Sequence, residues 1–443
     1  MRYLRDLTQL LIQDRKQVRF LLIFGIIVGC LVGLIGSLFQ LSIEKLTTLK
    51  MDWLATLPHH GVLAWLIPIG FSTLLLLFAM ILVKVFAPEA AGSGVQEIEG
   101  VLADKRRMRW HRILPVKFFA GICALSSGMV LGREGPTIQI GGAIGKMLSD
   151  RFGLTSEYAH ILIAAGAGAG LAAAFNAPLA GILFVVEEMR TQFKYNFISL
   201  QCVIVAAIFS DIVLRIFMGQ GNDIPMTHLH APPLASLWIF IIFGCIFGIM
   251  GVIFNRCLVK SLNIFTSVRP ILFWISMTVI GIVVGILTKI YPEIIGGGYV
   301  LIPQALHYQI AITPLLVIFI ARLFSTWISY GSGAPGGIFA PMLALGTTFG
   351  MWFGHYAHQW FPNLIVDPTL FAVAGMSALF TATVGAPLTG IVLVVEMTMN
   401  YAMILPLILT CFSATIMAYL LGGFPIYEVL LERTLRLAKA QKA

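Results

Sequence analysis

Charged residues are scarce in this chain. Asp, Glu, Lys and Arg make up 11% of its 443 residues, and hydrophobic residues make up 58%. Because soluble domains carry about 25% charged residues, this composition excludes an ordinary soluble protein. Many apolar stretches reach the roughly 20 residues needed to span a bilayer, among them 20–41, 62–85, 197–217, 237–259 and 271–290. We therefore predict an all-α polytopic membrane protein.

Motifs for metal, redox and hydrolytic chemistry are missing. The six cysteines lie in or beside apolar segments without CxxC spacing, which favours a packing role. No HExxH motif, Ser–His dyad or paired-acid metal motif marks a membrane-embedded lipid transferase or protease. We expect no metal, no cofactor and no enzymatic activity. The net charge of +9 comes from loops and tails, so we expect no nucleic-acid partner.

The positive residues predict the orientation in the membrane. They cluster at 105–109, from Arg190 to Lys194 and in both tails, whereas 219–231 has none and contains Asp223. The positive-inside rule places both termini in the cytoplasm and 219–231 outside. The N-terminus also lacks the short apolar core and cleavage site of a signal peptide. The chain is expected to be a multi-pass protein of a plasma or inner membrane.

The chain contains two copies of one sequence. Four blocks recur in the same order at offsets of 215, 204, 205 and 209 residues. The first residues of the paired blocks are Gly29 and Gly244, Pro88 and Pro292, Lys117 and Arg322, and Ala177 and Ala386. Inverted repeats are common in transporters, and we expect that arrangement here. The predicted organisation is a cytoplasmic segment 1–18, a first repeat 19–215, an external loop 216–233, a second repeat 234–427 including the last helix, and a cytoplasmic tail 428–443.

Gly and Pro interrupt the apolar runs at corresponding places in the two copies. Pro136 and Pro341 correspond, as do Pro178 and Pro387. Proline fits the first turn of a helix but not its interior, so each one predicts a helix N-terminus. Broken helices in a membrane are tolerated only where protein buries them or where they line a cavity. Their unpaired N–H groups can bind an anion. We predict that broken helices meet at an anion site near the midplane.

These interruptions resemble the signatures of the CLC family of chloride channels and proton-coupled chloride transporters. The matching segments are Gly92-Ser93-Gly94-Val95-Gln96, Gly132-Arg133-Glu134-Gly135-Pro136, Gly336-Gly337-Ile338-Phe339-Ala340-Pro341, and Tyr427 in the last helix. The resemblance covers essentially the whole chain. It departs from the family at Gln96, where a proline is usual. It implies chloride and protons as substrates and a homodimer with one pore per subunit.

Glu134 is the first candidate for a gate. A carboxylate beside a helix N-terminus can itself occupy an anion site, and protonation removes the charge that holds it there. Proton and anion then compete for one place. The resemblance implies that Glu134 is the external gate. The alternative is an acidic N-cap residue that satisfies backbone donors, although an intramembrane acid is costly and is functional by default.

Two further acids follow an apolar run, and on sequence alone a solvated interfacial pair explains them equally well. Glu187 corresponds to Glu396 in the second repeat, whereas Glu188 corresponds to Met397. The resemblance implies that Glu188 is the inner proton-transfer residue, which the family's transporters carry and its channels usually lack. It implies a secondary place for Glu187 on the proton route.

The remaining site residues are expected to bind the anion. The resemblance implies hydroxyl donors at Ser93 and Tyr427 and backbone N–H donors at Ile338 and Phe339. A serine at position 93 implies a preference for chloride over nitrate. A helix-capping serine and an interfacial tyrosine are the alternatives. The predicted function is exchange of chloride for protons. The alternative, a passive voltage- or pH-gated chloride channel, fits every anion-site motif but not Glu188.

Overall fold

The computed structural model describes residues 2–56, 61–190, 193, 196–221, 224, 226 and 229–440, and only the backbone of residues 2–18. Lys194 and Asp223, which enter the charge argument above, lie outside the described residues. The first half of the chain forms α1 (Arg2–Thr56), α2 (Leu63–Phe86), α3 (Val95–Leu102), α4 (Trp110–Ser126), α5 (Glu134–Arg151), α6 (Ser156–Phe175), α7 (Pro178–Glu188) and α8 (Phe197–Met218). The second half forms α9 (Leu237–Ser267), α10 (Pro270–Ile290), α11 (Leu301–Leu306), α12 (Ile312–Gly331), α13 (Phe339–Trp360), α14 (Thr369–Val384), α15 (Pro387–Thr398), α16 (Ile404–Leu420) and α17 (Ile426–Ala440).

The architecture is that of an integral, multi-pass membrane protein. Within the described ranges, eight helical segments are long and apolar enough to cross a bilayer. Large apolar side chains are exposed on the outer helices, as lipid contact requires, for example Leu74 (69%), Ile216 (74%) and Ile271 (71%). In contrast, 89% of the most apolar window of α6 is buried. The predicted all-α membrane fold is confirmed.

The core of each half is a helix pair with direct backbone contact. In the first half, a Cβ added to Gly141 of α5 would collide with the carbonyl of Gly166 in α6. In the second half, Gly346 of α13 and Gly375 of α14 make the equivalent approach. Small residues let membrane helices pack this closely, which replaces the hydrophobic driving force absent in lipid. These pairs hold the N-termini of α5 and α13 rigidly at the centre of the molecule.

Hydrogen bonds between the halves occur in matched pairs. Gly92 N donates to Gly333 O (3.4 Å), and Gly296 N donates to Gly128 O (2.9 Å). Gly92 and Gly128 are the repeat counterparts of Gly296 and Gly333, so the second bond is the first with the halves exchanged. Contacts of this reciprocal kind define a two-fold relation. The repeat in the sequence is therefore a structural repeat about a pseudo-two-fold axis.

A buried cation anchors the loop before α3, and a second one anchors the corresponding loop before α11. Lys117 Nζ donates to the carbonyl oxygens of Ala90 (3.0 Å) and Gly92 (2.6 Å). Its counterpart Arg322 donates to the carbonyl oxygens of Glu293 (2.8 Å), Ile295 (3.0 Å) and Gly296 (2.8 Å). Both side chains are fully buried. The basic pair is structural, because it satisfies carbonyl groups of irregular backbone that lies inside the protein.

Two predicted boundaries fall inside helices. The boundary at residues 18 and 19 lies within α1, which is continuous from Arg2. The segment 428–440, expected to be a tail, belongs to α17. This helix is docked on the bundle, since Leu430 and Leu431 are buried and Arg433 Nε donates to Asn263 Oδ1 of α9 (2.8 Å). Docking of α17 carries Tyr427 into the core.

Candidate functional site

The N-termini of α5 and α13 meet at the centre of the molecule. Gly132 and Gly337, just before the two helices, exchange backbone hydrogen bonds of 2.8 and 2.7 Å. Proline is the third residue of each helix and has no N–H to donate. The first two residues of each helix therefore present backbone N–H groups and the positive end of the helix dipole. The predicted meeting of two broken helices in an apolar interior is confirmed.

The carboxylate of Glu134 sits on the N-terminus of α13. Its Oε1 accepts a hydrogen bond from Ala340 N at 2.6 Å, and the side chain is fully buried. Its Oε2 has no hydrogen-bond partner among the described residues. Glu134 begins α5 in the first half, so the acid of one half occupies the helix end of the other. Ala340, which the sequence did not single out, supplies this donor next to the predicted Ile338 and Phe339.

Two other proline-marked helix ends are closed. At α15, Glu187 accepts from Leu388 N (2.9 Å), Thr389 N (2.6 Å) and Thr389 Oγ1 (2.7 Å). At α7, Glu396 accepts from Leu179 N (3.0 Å) and Ala180 N (2.8 Å). The expectation that all the proline-marked ends offer free N–H groups is wrong, because acids from the opposite half cap these two. The structure shows Glu187 capping α15, and its expected place on the proton route stays a prediction.

Two hydroxyl groups lie next to the paired helix ends. A Cβ at Gly135 would come within 2.6 Å of Ser93 Oγ, so the serine hydroxyl touches the first turn of α5. The ring of Tyr427 lies 5.9 Å from that of Phe339, measured between centroids. Ser93 and Tyr427 are fully buried, and neither hydroxyl has a hydrogen-bond partner in the described structure. The structure thus brings together Ser93, Glu134, Phe339 and Tyr427, with unused O–H donors.

A cluster of acids lies on the α3 and α17 side of these hydroxyls. Glu188 ends α7 and is 9% exposed. The carboxyl group of Glu99 is completely buried and lies within hydrogen-bonding reach of Glu188. Glu428 of α17 is a close electrostatic neighbour of both. Tyr427 in turn has Glu188 and Glu134 as electrostatic neighbours, so it lies between the two acids. Glu99 was not among the residues expected from the sequence. The two acids in the eight-residue apolar stretch of α3 were a usable signal for a functional acid there.

Comparison with known proteins agrees with this geometry. The sequence profile described as voltage gated chloride channel matches residues 75–419. The chain belongs to the CLC family. A relative in Vibrio parahaemolyticus, named H(+)/Cl(-) exchange transporter ClcA, is 49% identical over 94% of this chain and 90% of its own length. A Klebsiella pneumoniae protein of the same name is 47% identical over 99% of this chain and 94% of its own.

Solved structures support the same assignment. A structure described as a slow cyanobacterial Cl-/H+ antiporter superimposes with a TM-score of 0.91 at 42% identity, covering 94% of this chain and 98% of that one. A CLC-type fluoride/proton antiporter matches with a TM-score of 0.77 at 19% identity, covering 92% of this chain and 97% of that one, which shows the fold alone. The predicted CLC fold, with its two repeats and central broken helices, is confirmed.

The segment that departs from the CLC signature keeps its helical geometry. Helix α3 begins at Val95 although Gln96, rather than proline, follows. Gly94 precedes it with φ of 89°, and a side chain there would collide with Gln139. Gln139 Nε2 donates to the carbonyl of Glu89 at 2.9 Å. The start of α3 is therefore fixed by the glycine and by Gln139, so a proline ring is not needed.

A cavity of about 530 Å³ opens beside the Glu134 turn, lined by the last turns of α1 and by Leu131 and Arg133. Arg133 is held there by several contacts. Its Nη1 lies 3.7 Å from Glu44 Oε1, its Nε donates to Ala174 O at 3.0 Å, and its guanidinium lies 4.4 Å from the centroid of the Tyr299 ring. A fixed positive charge at the mouth of a low-dielectric cavity concentrates anions. Arg133, the residue before Glu134, thus lines this cavity.

Proposed function

We propose that the chain exchanges chloride for protons across the membrane. The observation that carries this proposal is the Glu134 carboxylate bound to Ala340 N at the N-terminus of α13. Because a titratable acid occupies the anion site, binding of a proton to that acid is linked to binding of chloride at the same site. The relatives named H(+)/Cl(-) exchange transporter and the structure described as a Cl-/H+ antiporter support exchange over a channel.

Proton and chloride compete for the helix end through Glu134. When the carboxylate is charged, it accepts the N–H bond and holds the place of an anion. A proton taken up from the cavity beside Arg133 removes the charge, and with it most of the attraction to the helix N-terminus. The neutral side chain then rotates away, and chloride takes its place on the N–H groups of Phe339 and Ala340. When the chloride has left and Glu134 has lost its proton, the charged carboxylate returns to the N-terminus of α13.

On the inner side of the anion site at the α13 N-terminus, chloride is bound by hydroxyl and backbone N–H donors. Ser93 and Tyr427 offer buried O–H groups without protein partners, and Ile338 and Phe339 offer N–H groups. Leaving a buried donor unsatisfied costs about 1–3 kcal/mol. A dehydrated chloride recovers that free energy by accepting from these donors, and the serine favours chloride over nitrate.

Glu188 carries the proton on the other side. It lies beside Glu99 and is an electrostatic neighbour of Tyr427. Two adjacent buried carboxyl groups cannot both be ionised without strong repulsion. The pair therefore keeps a proton available inside the protein, and Glu188 passes it toward Glu134. Glu187 is engaged as the cap of α15, so we assign the transfer to Glu188 rather than to Glu187.

Orientation and assembly complete the proposal. The basic loop 105–109 and both termini face the cytoplasm by the positive-inside rule, which puts Glu188 on the cytoplasmic side and the Arg133 cavity outside. The protein acts as a homodimer in a plasma or inner membrane, with one pathway in each subunit, as the family resemblance suggests.

Proton flux in liposomes tests the exchange. We expect an imposed chloride gradient to drive protons uphill in the wild type. Replacement of Glu188 by Gln should stop proton movement while chloride flux continues. The matched control is Glu432→Gln, which removes an exposed acid of α17 paired with Arg436, and it should leave both fluxes unchanged. Rapid chloride flux without proton movement at any gradient would make the chain a passive channel.

A further inference from the structure

A third buried hydroxyl group faces the same region. Tyr330, near the end of α12, is 1% exposed; its hydroxyl oxygen faces the backbone N–H of Ser93, and its O–H proton has no acceptor in the part of the chain that the structure describes. Such a group costs about 1–3 kcal/mol when nothing satisfies it, so unsatisfied buried groups are few in native proteins. A bound molecule that accepts the hydroxyl proton would remove that cost.

The Tyr330 hydroxyl lies against the segment that leads into Ser93. A Cβ built on Gly92 would lie 3.4 Å from both Tyr330 Oη and Tyr330 Cζ. Tyr330 is also an electrostatic neighbour of the Tyr427 phenol, and the Ser93 hydroxyl lies within hydrogen-bonding reach of that phenol. Three unsatisfied hydroxyls, from α12, from the start of α3 and from α17, thus surround one small volume.

The charges around this volume favour an anion. Lys117 Nζ binds the carbonyl of Gly92 at 2.6 Å, directly behind the segment that Tyr330 faces. Arg433 is an electrostatic neighbour of Tyr330. Tyr427 has the acids Glu134 and Glu188 as electrostatic neighbours, so the positive charge lies toward Tyr330.

The repeat gives an independent reason to assign a role to this tyrosine. The offset that pairs Lys117 with Arg322 pairs Leu125 with Tyr330. The first copy therefore has an apolar side chain where the second has a hydroxyl. The same asymmetry occurs at Ser93, whose counterpart is Gly297. For packing alone, an apolar side chain such as leucine or phenylalanine would be enough at this position.

We propose that Tyr330 is a third hydroxyl ligand of the transported anion, donating its O–H alongside Ser93 and Tyr427. This inference rests on the proposed function, because it deepens the same site. The ligand class is a small monovalent anion, with chloride as the natural probe and bromide as its surrogate. Tyr330 adds a hydroxyl from α12 to the donors that Ser93, Tyr427 and the backbone already offer to the inner anion.

Calorimetric titration of the purified full-length protein with chloride tests this role. Tyr330→Phe keeps the ring and removes only the hydroxyl. We expect its chloride affinity to fall roughly tenfold, because a hydrogen bond to a charged group is worth about 1.5 kcal/mol or more. Tyr419→Phe removes the same hydroxyl at an exposed position (77%) on α16 and should bind as wild type.

Two further measurements separate the causes of a negative result. In chloride-free buffer, the melting temperature of Tyr330→Phe should stay close to that of the wild type, because the variant loses at most the bond from the Ser93 N–H. Ser93→Ala and Tyr427→Phe report on the site itself. Wild-type or tighter chloride binding in Tyr330→Phe, together with weaker binding in those two variants, would overturn the inference alone. Unchanged binding in all three variants would overturn the proposed anion site with it.

Discussion

Neutralising the two capping acids tests whether Glu187 is a helix cap or part of the proton route. The two acids are repeat counterparts, each caps a short helix of the opposite half, and each is half-buried. Glu187→Gln and Glu396→Gln therefore form a matched pair of nearly isosteric changes. If both acids serve only as caps, the two variants should behave alike in every assay.

The expected loss of stability follows from the hydrogen bonds. Glu187 accepts three bonds of 2.6 to 2.9 Å, and Glu396 accepts two of 2.8 and 3.0 Å. A glutamine retains one acceptor oxygen, so each variant loses at least one charge-assisted bond, about 1.5 kcal/mol, together with about 0.5 kcal/mol from the helix dipole. The total is about 2 kcal/mol. For a chain of this length, this corresponds to a decrease in melting temperature of roughly 2 °C.

The assay combines thermal unfolding in detergent with flux in liposomes. We expect a similar decrease in melting temperature for both variants, slightly larger for Glu187→Gln because it loses more bonds. The ratio of protons to chloride moved should equal that of the wild type in both. A loss of proton flux in Glu187→Gln, but not in Glu396→Gln, would refute this reasoning and return Glu187 to the proton route.

Two other substitutions test the geometry around the site. Gly135→Ala would place a methyl group 2.6 Å from Ser93 Oγ, so it should abolish measurable chloride binding in calorimetry. The control is Gly70→Ala, whose methyl group meets no atom within 4 Å among the described residues; this variant should bind chloride normally. Arg322→Met leaves three carbonyl groups of buried backbone without their donor and should cost at least about 3 kcal/mol, seen as loss of folded protein in size-exclusion chromatography. Arg322→Lys should recover most of the folded yield, since Lys117 does the same work in the other half, and equal yields of the two variants would contradict this account.

Local sequence rules predict the central helix ends well. Proline near the start of a helix, glycine before it and an acid in an apolar region are short-range signals, and all three converge at Glu134. Because the repeat places the glycine and the proline, though not the acid, around Phe339 as well, the approach of the two ends follows from internal symmetry. The fold class follows from composition, since 20-residue apolar stretches leave few other options.

Long-range pairing is what the sequence does not reveal. The acid that caps α7 is Glu396 of α15, which lies 217 residues after its partner Leu179. No local sequence pattern links the two residues. Ala340 and Tyr330 belong to apolar or aromatic stretches whose composition is equally suited to packing. Glu99 lies in a stretch where two acids were a usable signal, but its pairing with Glu188 of α7 was not evident from the sequence. Their roles depend on which surfaces meet when the halves assemble.

The reciprocal bonds between the halves also limit how the protein can move. Main-chain bonds join Gly132 to Gly337 in the centre, and the caps of α7 and α15 tie the halves on a second side. Rotation of one half against the other would break these bonds together and expose their polar groups to an apolar interior. Under the proposed mechanism we expect access to the ion to alternate through side chains, with Glu134 moving inside a static frame. A transporter built this way resembles a channel in its architecture and differs from one only in the few atoms that open and close the path.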